Sequence, residues 1–417
     1  MRQRATARRG GALIGCVGLI VASILTLSEP AAAQTSSAPA PAQLVTITIP
    51  APDSEIPSQW LSYPGPPRAN VLLPAGYNPQ QRYPLLVLLS GLANNYASYA
   101  QDGIVAKIEA SDLDAVVVMP EGGNGWYANW LDNGQPGSPA WETYELDVVL
   151  PTILDRYPIL PGRQYHAIAG FSMGGLGAVY LGGRLPGFFG TVATLSGFVD
   201  TQYFAPLTDP AMGFVAQAPL KGDGSLSAVY GDPFGFYANG HNPTLLAMNL
   251  KQTRVFESTG TGVPSGAGLS SLGGNYGQDV AVVGGSALEA PIIYPMNEIY
   301  HAALTAAGVD VTYQVHPGGH DLPDFDNEFD ALLAWGLFKP LLADPASWVN
   351  DTVATSGQIW GIGYRFAQPP SQVVRIQQSG STLSISAAGS AVTVTTGSCT
   401  IATPTPATID LSPRRCA

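Results

Sequence analysis

Ser172 stands in Gly170-Phe171-Ser172-Met173-Gly174-Gly175, a G-x-S-x-G pattern. A serine hydroxyl is a weak nucleophile. Chemistry there needs a histidine to take its proton and a carboxylate to orient that histidine, and the set then attacks an acyl carbonyl. Before the pattern lies an apolar run, Tyr165-His166-Ala167-Ile168-Ala169, and after it a small-residue helical segment from Leu176 to Arg184. Strand, sharp turn and helix together make a nucleophile elbow, which strains the backbone at Ser172. Glycine is wanted at 170 and 174 because a side chain there would strike the neighbouring strand or helix. The hydroxyl sits near the positive end of the following helix dipole.

The chain has five histidines to supply the base. His166 lies inside the elbow strand and reads as packed in the sheet. His241 falls in a covering loop, His301 on a helix, and His316 just past the last strand. His320 falls in Pro317-Gly318-Gly319-His320-Asp321, a loop between the last strand and the final helix. An α/β-hydrolase carries its base there, so His320 is favoured over His316. The acid should lie between Ser172 and His320 in chain order. Glu257 is inside a strand and Glu298 is on a solvated helix face, which leaves Asp279 and Glu289. Residue physics does not choose between those two.

An oxyanion hole needs two backbone donors. Met173, directly after the nucleophile, should supply one amide. Leu92, in the turn after the strand Tyr83 to Leu89, should supply the other. Trp126 and Tyr127, in the loop after the strand Ala115 to Met119, are candidates to line a substrate cleft. Asp324, Asp326 and Glu328 read as dipole complements in a helix's first turn, and neither a metal nor any other cofactor is expected.

The elements that must hold these residues alternate. Leu44 to Ile49 reads as an edge strand and Ala69 to Leu73 as a second, and the runs at 83–89 and 115–119 read as buried strands. A helix from Trp141 to Tyr157 leads to the elbow strand. Thr191 to Leu195, Arg254 to Ser258 and Val311 to Val315 continue the strand series, with helices near Met296 to Ala307 and Phe325 to Phe338. Such alternation argues an α/β domain with a largely parallel sheet, whose active residues collect beyond the strands' carboxyl ends. After Pro340 the composition shifts. Ile359 to Phe366, Gln372 to Ile376, Thr382 to Ser386 and Ala391 to Thr395 read as a small antiparallel unit.

The division expected is a signal peptide over 1–33, a disordered leader over 34–43, a catalytic domain over 44–340 and a β unit over 341–417. Arg2, Arg4, Arg8 and Arg9, the apolar run from Gly11 to Leu27 and Ala31-Ala32-Ala33 make the signal peptide, which implies secretion or a cell-envelope location. No other apolar stretch is long enough to span a bilayer, so no stable membrane anchor is expected. A formal net charge of −12, more negative once the arginine-rich leader is removed, makes nucleic acid a poor partner. Of three cysteines, Cys399 and Cys416 survive cleavage and are expected to pair.

Several stretches in order resemble the secreted esterase family that includes the mycolyltransferases of the antigen 85 type. They are Leu88-Leu89-Ser90-Gly91-Leu92, Met119-Pro120-Glu121-Gly122-Gly123, Trp141-Glu142-Thr143, the elbow, Leu195-Ser196-Gly197, Gly231-Asp232-Pro233, Asn242-Pro243-Thr244 and Gly318-Gly319-His320. The resemblance implies an α/β-hydrolase core, a serine acyl-enzyme, and Ser172 and His320 as nucleophile and base. It also sets Leu288-Glu289 at the position of the family's catalytic glutamate, with Asp279 as the alternative. Ser90 and Ala93 stand where the mycolyltransferases carry an aspartate and an arginine associated with trehalose. The expected activity is therefore ester hydrolysis or acyl transfer on an acyl ester or glycolipid. The contrasting expectation is a non-catalytic envelope or adhesion protein that keeps the scaffold.

Overall fold

The strands that are apolar along their whole length occupy the middle of one sheet. In the computed structural model, β3 (Leu85–Leu89), β4 (Val116–Pro120), β5 (His166–Phe171) and β6 (Thr191–Leu195) are buried almost end to end, as strands covered on both faces must be. The structure describes residues 40–412 apart from 53–55, 58–59, 132–137, 204–225, 267–269, 271–272, 274–282, 342 and 398. The expected signal peptide thus lies outside the described residues.

With β1 (Gln43–Thr48), β2 (Arg68–Leu73), β7 (Arg254–Gly260) and β8 (Asp310–His316), these strands form an eight-stranded sheet of order β1-β2-β4-β3-β5-β6-β7-β8. The pairs β1/β2 and β2/β4 are antiparallel, and every pair from β4/β3 to β7/β8 is parallel. β1 is an edge strand, as its alternation predicts: Val45 and Ile47 are half-buried while Thr46 and Thr48 are exposed.

Period-two alternation sends successive side chains of each strand into two different cores. Leu86, Leu88, Val117, Met119, Ala167 and Ala169 pack under α1 (Ile104–Ala110) and Phe325, Phe329 and Leu332 of the final helix. Their neighbours Leu85, Val87, Leu89, Val116, Val118 and Ile168 face the other way. There they meet α2 (Leu150–Arg156), α3 (Met173–Arg184) and α4 (Tyr294–Ala307). The final helix, α5, spans Leu322–Trp335. Helices on both faces of a mostly parallel sheet make this an α/β-hydrolase fold.

Register aligns the carboxyl ends. Leu89 pairs with Gly170, Phe171 with Leu195, Leu195 with Ser258, and Gly260 with His316. The residues that follow these strands therefore emerge along one edge of the sheet, where the site forms.

Beyond α5 the chain is all β. It comprises β9 (Ser347–Thr352), β10 (Ser356–Ile359), β11 (Ile362–Phe366), β12 (Val374–Ser379), β13 (Thr382–Ile385), β14 (Val392–Thr396), β15 (Cys399–Thr403) and β16 (Ala407–Asp410). They form two four-stranded antiparallel sheets, ordered β10-β11-β14-β15 and β16-β13-β12-β9, around Trp348, Tyr364, Phe366, Ile376 and Leu383. The four runs visible in the sequence are thus half of the unit. β9 escapes sequence reading because its polar side chains are paired: Asn350 donates to the Gly183 carbonyl at 2.8 Å, and the Asp351 carboxylate accepts from Arg375 at 2.9 and 2.7 Å, while the Asp351 amide donates to Asn249 Oδ1 at 2.8 Å. Arg184 at the end of α3 completes the joint, donating to the Tyr364 hydroxyl at 3.0 Å and bonding Glu142 at 2.6 Å. Cys399 opens β15, and Cys416 lies outside the described residues.

Candidate active site

The elbow shows why its glycines are needed. Ser172 sits at φ +57° and ψ −120° between β5 and α3, a left-handed backbone that a non-glycine residue holds only under strain. A Cβ on Gly170 would lie 2.2 Å from the Gly174 carbonyl oxygen, and one on Gly174 would lie 2.0 Å from that of Leu89. Neither distance is survivable, so the strand and helix close on each other only through glycine. The turn is held by the Ser172 amide donating to the Leu195 carbonyl at 3.0 Å, and by the Phe198 amide donating to the Ser172 carbonyl at 3.1 Å.

Ser172 Oγ lies 2.8 Å from His320 Nε2, and His320 Nδ1 lies 2.8 Å from Glu289 Oε2. A carboxylate only accepts, so Nδ1 carries the hydrogen and Nε2 presents its lone pair to the serine hydroxyl. The imidazole stacks on Phe171, with ring centroids 4.7 Å apart and an interplanar angle of 26°. Its loop is tied down on both sides: the Gly319 amide donates to Asp324 Oδ2 at 2.7 Å, and Asp321 caps α5 by accepting from the Asp324 amide at 3.2 Å. Burial pushes the Asp321 carboxyl, next to His320, up to about 6.

Glu289 opens a π-helical turn, Glu289–Ile293, that runs directly into α4, and it is fully buried. Its Oε1 accepts from Ser196 Oγ at 2.9 Å, Thr259 Oγ1 at 2.8 Å and the Gly260 amide at 3.0 Å. With His320 on Oε2, four donors satisfy a buried carboxylate that would otherwise be costly to hold.

Of the two residues expected to supply oxyanion amides, Met173 directly follows Ser172, and the turn that carries Leu92 comes close to it through Gly91. Met173 is the first residue of α3, so its amide has no acceptor within the helix. Leu92 follows Gly91, on which a Cβ would lie 3.5 Å from that of Ser172. Asn124 fixes this turn by accepting from the Ala93 amide at 2.8 Å.

Other expectations meet a different arrangement. Trp126 and Tyr127 do not line an open cleft: both are buried to 1% exposure or less. Trp126 packs edge-on against Phe198, and Tyr127 donates its hydroxyl to the Ser90 carbonyl at 2.9 Å. They form the wall behind the site, and Gly122 and Gly177 leave room for the tyrosine ring. Asp279 lies outside the described residues. His166 is packed, its ring nitrogens meeting the Phe188 and Leu160 carbonyls, and His301 pairs with buried Glu257, whose carboxyl burial pushes up to about 7.

His316 lies at the end of β8 with its Nε2 2.8 Å from Glu328 Oε1. Glu328 is therefore no solvated dipole complement; it is buried, and its Oε1 lies 2.8 Å from Ser196 Oγ. Sequence reasoning missed Ser196, Thr259 and Glu328. For Ser196 the signal was its place directly after β6, where a parallel sheet collects functional residues. Among the described residues no group of three or more His, Cys, Asp or Glu side chains could hold a metal ion.

Fold and site define an α/β-hydrolase with a serine, a histidine and a glutamate in hydrogen-bonded series. Comparison with known proteins points to a family: residues 62–267 match the model of the family described as "Putative esterase". The chain is 27% identical over 283 residues to the esterase Rv1288 of Mycobacterium tuberculosis, covering 64% of this chain and 56% of that protein. It thus spans little more than half the length of the curated relatives it matches. Over 143 residues, 31% of this chain and 19% of the relative, it is 32% identical to an endo-1,4-beta-xylanase/feruloyl esterase of Xylanibacter ruminicola. Among solved structures, MPT51 of Mycobacterium tuberculosis shares the fold with a TM-score of 0.53 at 17% identity, over 71% of this chain and 99% of that one. The serine hydrolase FphF of Staphylococcus aureus does so with a TM-score of 0.51 at 18% identity, over 72% and 100%.

Proposed function

We propose that this chain is a secreted carboxylic-ester hydrolase or acyltransferase that works through an acyl-enzyme on Ser172. What carries the reading is the run of two 2.8 Å contacts, Ser172 Oγ to His320 Nε2 and His320 Nδ1 to Glu289 Oε2, at the carboxyl edge of the sheet. As Ser172 Oγ attacks the ester carbonyl, its proton passes to Nε2, and the carbonyl oxygen takes up negative charge that the Leu92 and Met173 amides receive. The tetrahedral intermediate collapses, the C–O bond breaks, and Nε2 returns the proton to the leaving alcohol. A water or a second alcohol then gives its proton to Nε2 and attacks the acyl carbon; as this second intermediate collapses, the bond to Oγ breaks and Nε2 returns the proton to Ser172 Oγ. Glu289 orients and stabilises the imidazolium that forms.

Hydrolysis and transfer share every one of these residues. Ser90 and Ala93 offer no charge where the mycolyltransferases hold trehalose, and this favours hydrolysis. The arginine-rich, apolar N-terminus supports secretion, and no helix among the described residues is long and apolar enough to cross a membrane. The division into a catalytic domain over 44–340 and a β unit over 341–417, with a Cys399 to Cys416 disulfide, belongs to the same proposal. The test is turnover of p-nitrophenyl esters of increasing acyl length, with and without trehalose or glycerol, by wild type and Ser172→Ala. Turnover by wild type that vanishes in the variant is expected. A wild-type protein that hydrolyses no ester and is indistinguishable from Ser172→Ala would favour a non-catalytic envelope or adhesion protein.

A further inference from the structure

Behind Glu289 stands a second histidine–glutamate pair that the steps above do not use. Ser196 follows β6 at φ +41°, in the left-handed region, and its amide donates to the Ser258 carbonyl at 2.8 Å. That backbone sets Ser196 Oγ between two buried carboxylates, 2.9 Å from Glu289 Oε1 and 2.8 Å from Glu328 Oε1. A hydroxyl has one proton and can donate to only one of them at a time.

The two carboxylates differ in what else they receive. Glu289 Oε1 has Thr259 and Gly260 as further donors. Glu328 Oε1 has only His316 Nε2 besides Ser196, and its Oε2 is buried without a partner among the described residues. His316 Nδ1 lies 3.0 Å from the Pro317 carbonyl, which can only accept, so Nδ1 carries a hydrogen. The Nε2 to Oε1 contact then holds another proton, whichever atom carries it, and the pair is neutral as a whole. Burial opposes a charge on His316, but the Glu328 carboxylate overrides it and holds the imidazole up to about 9. Asp324 on α5 adds to this, and Glu289 and His320 are the charged or titratable groups on the far side of Ser196.

We infer that Ser196, Glu328 and His316 form a positioning relay on Glu289 that sets how strongly His320 holds its proton. With the pair neutral, Glu328 does not confront Glu289 as a second bare carboxylate, and Ser196 is free to donate to Glu289. The relay touches no substrate; it acts through Glu289 alone, and its consequence for catalysis rests on the esterase reading above.

The test is a histidine NMR titration of the whole chain, with the His320 resonance identified by its loss in His320→Gln. Ser196→Gly removes the hydroxyl while relaxing the left-handed backbone, so Glu289 loses a donor and becomes more basic. The His320 pKa should rise by about 0.5 to 1 unit. In Glu328→Gln the new amide donates to Ser196 Oγ and commits to Glu289 the hydroxyl that wild type shares between the two carboxylates, so His320 should fall by about 0.5 unit. Shifts of opposite sign are the signature, since general loosening would move both variants alike. In turnover, Ser196→Gly should lower kcat about five- to tenfold while KM for p-nitrophenyl acetate stays within about twofold. A His320 titration within about 0.2 unit of wild type in both variants, or shifts of one sign in both, would overturn the relay. Because the titration needs no turnover, a wild-type chain that hydrolyses no ester would count against the esterase reading and leave this test standing.

Discussion

His320 with Glu289 and His316 with Glu328 are the same two residue types, four positions apart on the histidine side, each in contact at 2.8 Å. They differ in which ring nitrogen meets the carboxylate. His320 gives Glu289 its Nδ1 and keeps the Nε2 lone pair for Ser172, whereas His316 gives Glu328 its Nε2 and points Nδ1 at the Pro317 carbonyl. The first ring can accept a proton from the serine; the second has both nitrogens engaged, Nε2 with Glu328 and Nδ1 with the Pro317 carbonyl, and offers no free lone pair to a substrate. Residue type provides the capacity for acid–base work, and ring orientation decides whether it is used.

The largest way to break this comparison is to remove each base in turn. His320→Ala and Ser172→Ala should each lower kcat/KM for a p-nitrophenyl ester by about 10⁴-fold or more, while His316→Ala should lower it by less than about 30-fold. Equal losses at the two histidines would abolish the distinction. Next comes Glu289→Gln, which leaves volume intact but no longer dictates the Nδ1–H tautomer. It should lower kcat about 10³-fold with KM nearly unchanged, as steady-state kinetics would read.

A smaller effect sharpens the orientation argument. Phe171 stacks on His320 at 4.7 Å and tilts against Phe325, so it fixes the ring plane from below. Phe171→Ala should lower kcat about tenfold, with the His316 titration unaltered by NMR. The smallest effect is on stability. The pKa of His316 is raised to about 9 from an ordinary 6.5. The folded state therefore holds this proton more tightly, and the resulting stabilisation is complete below about pH 6.5 and lost as the pH rises through about 9. In urea unfolding at pH 6 and pH 9.5, wild type should lose on the order of 1 kcal/mol more than His316→Gln.

Much of the hydrolase was legible because its physics is local. Continuous apolar runs such as Leu85–Leu89 can only be strands covered on both faces, and Gly170 and Gly174 around Ser172 announce a turn too tight for side chains. The place of His320 in the loop between the last strand and the final helix then favoured it over His316. What the sequence could not carry was long-range pairing. Glu289 read as one of two loop carboxylates, yet it opens a helical turn and is buried by donors from the ends of β6 and β7. Trp126 and Tyr127 read as cleft aromatics because loops usually lie at the surface, but this loop folds inward and spends the tyrosine hydroxyl on Ser90. Glu328 looked like a first-turn carboxylate, and only the fold shows that its face of α5 turns toward Ser196 and His316. In the β unit, Asn350 and Asp351 disguised β9, since side chains paired with the Gly183 carbonyl and with Arg375 look solvated in sequence.

The central claim is that Ser172, activated by His320, becomes covalently acylated. Labelling the intact protein with a fluorophosphonate and mapping the adduct by peptide mass spectrometry tests it most directly. The account predicts one adduct on the peptide that contains Ser172, lost in Ser172→Ala and strongly slowed in His320→Ala but not in His316→Ala. An unlabelled wild-type protein, or an adduct that persists unchanged in Ser172→Ala, would contradict it.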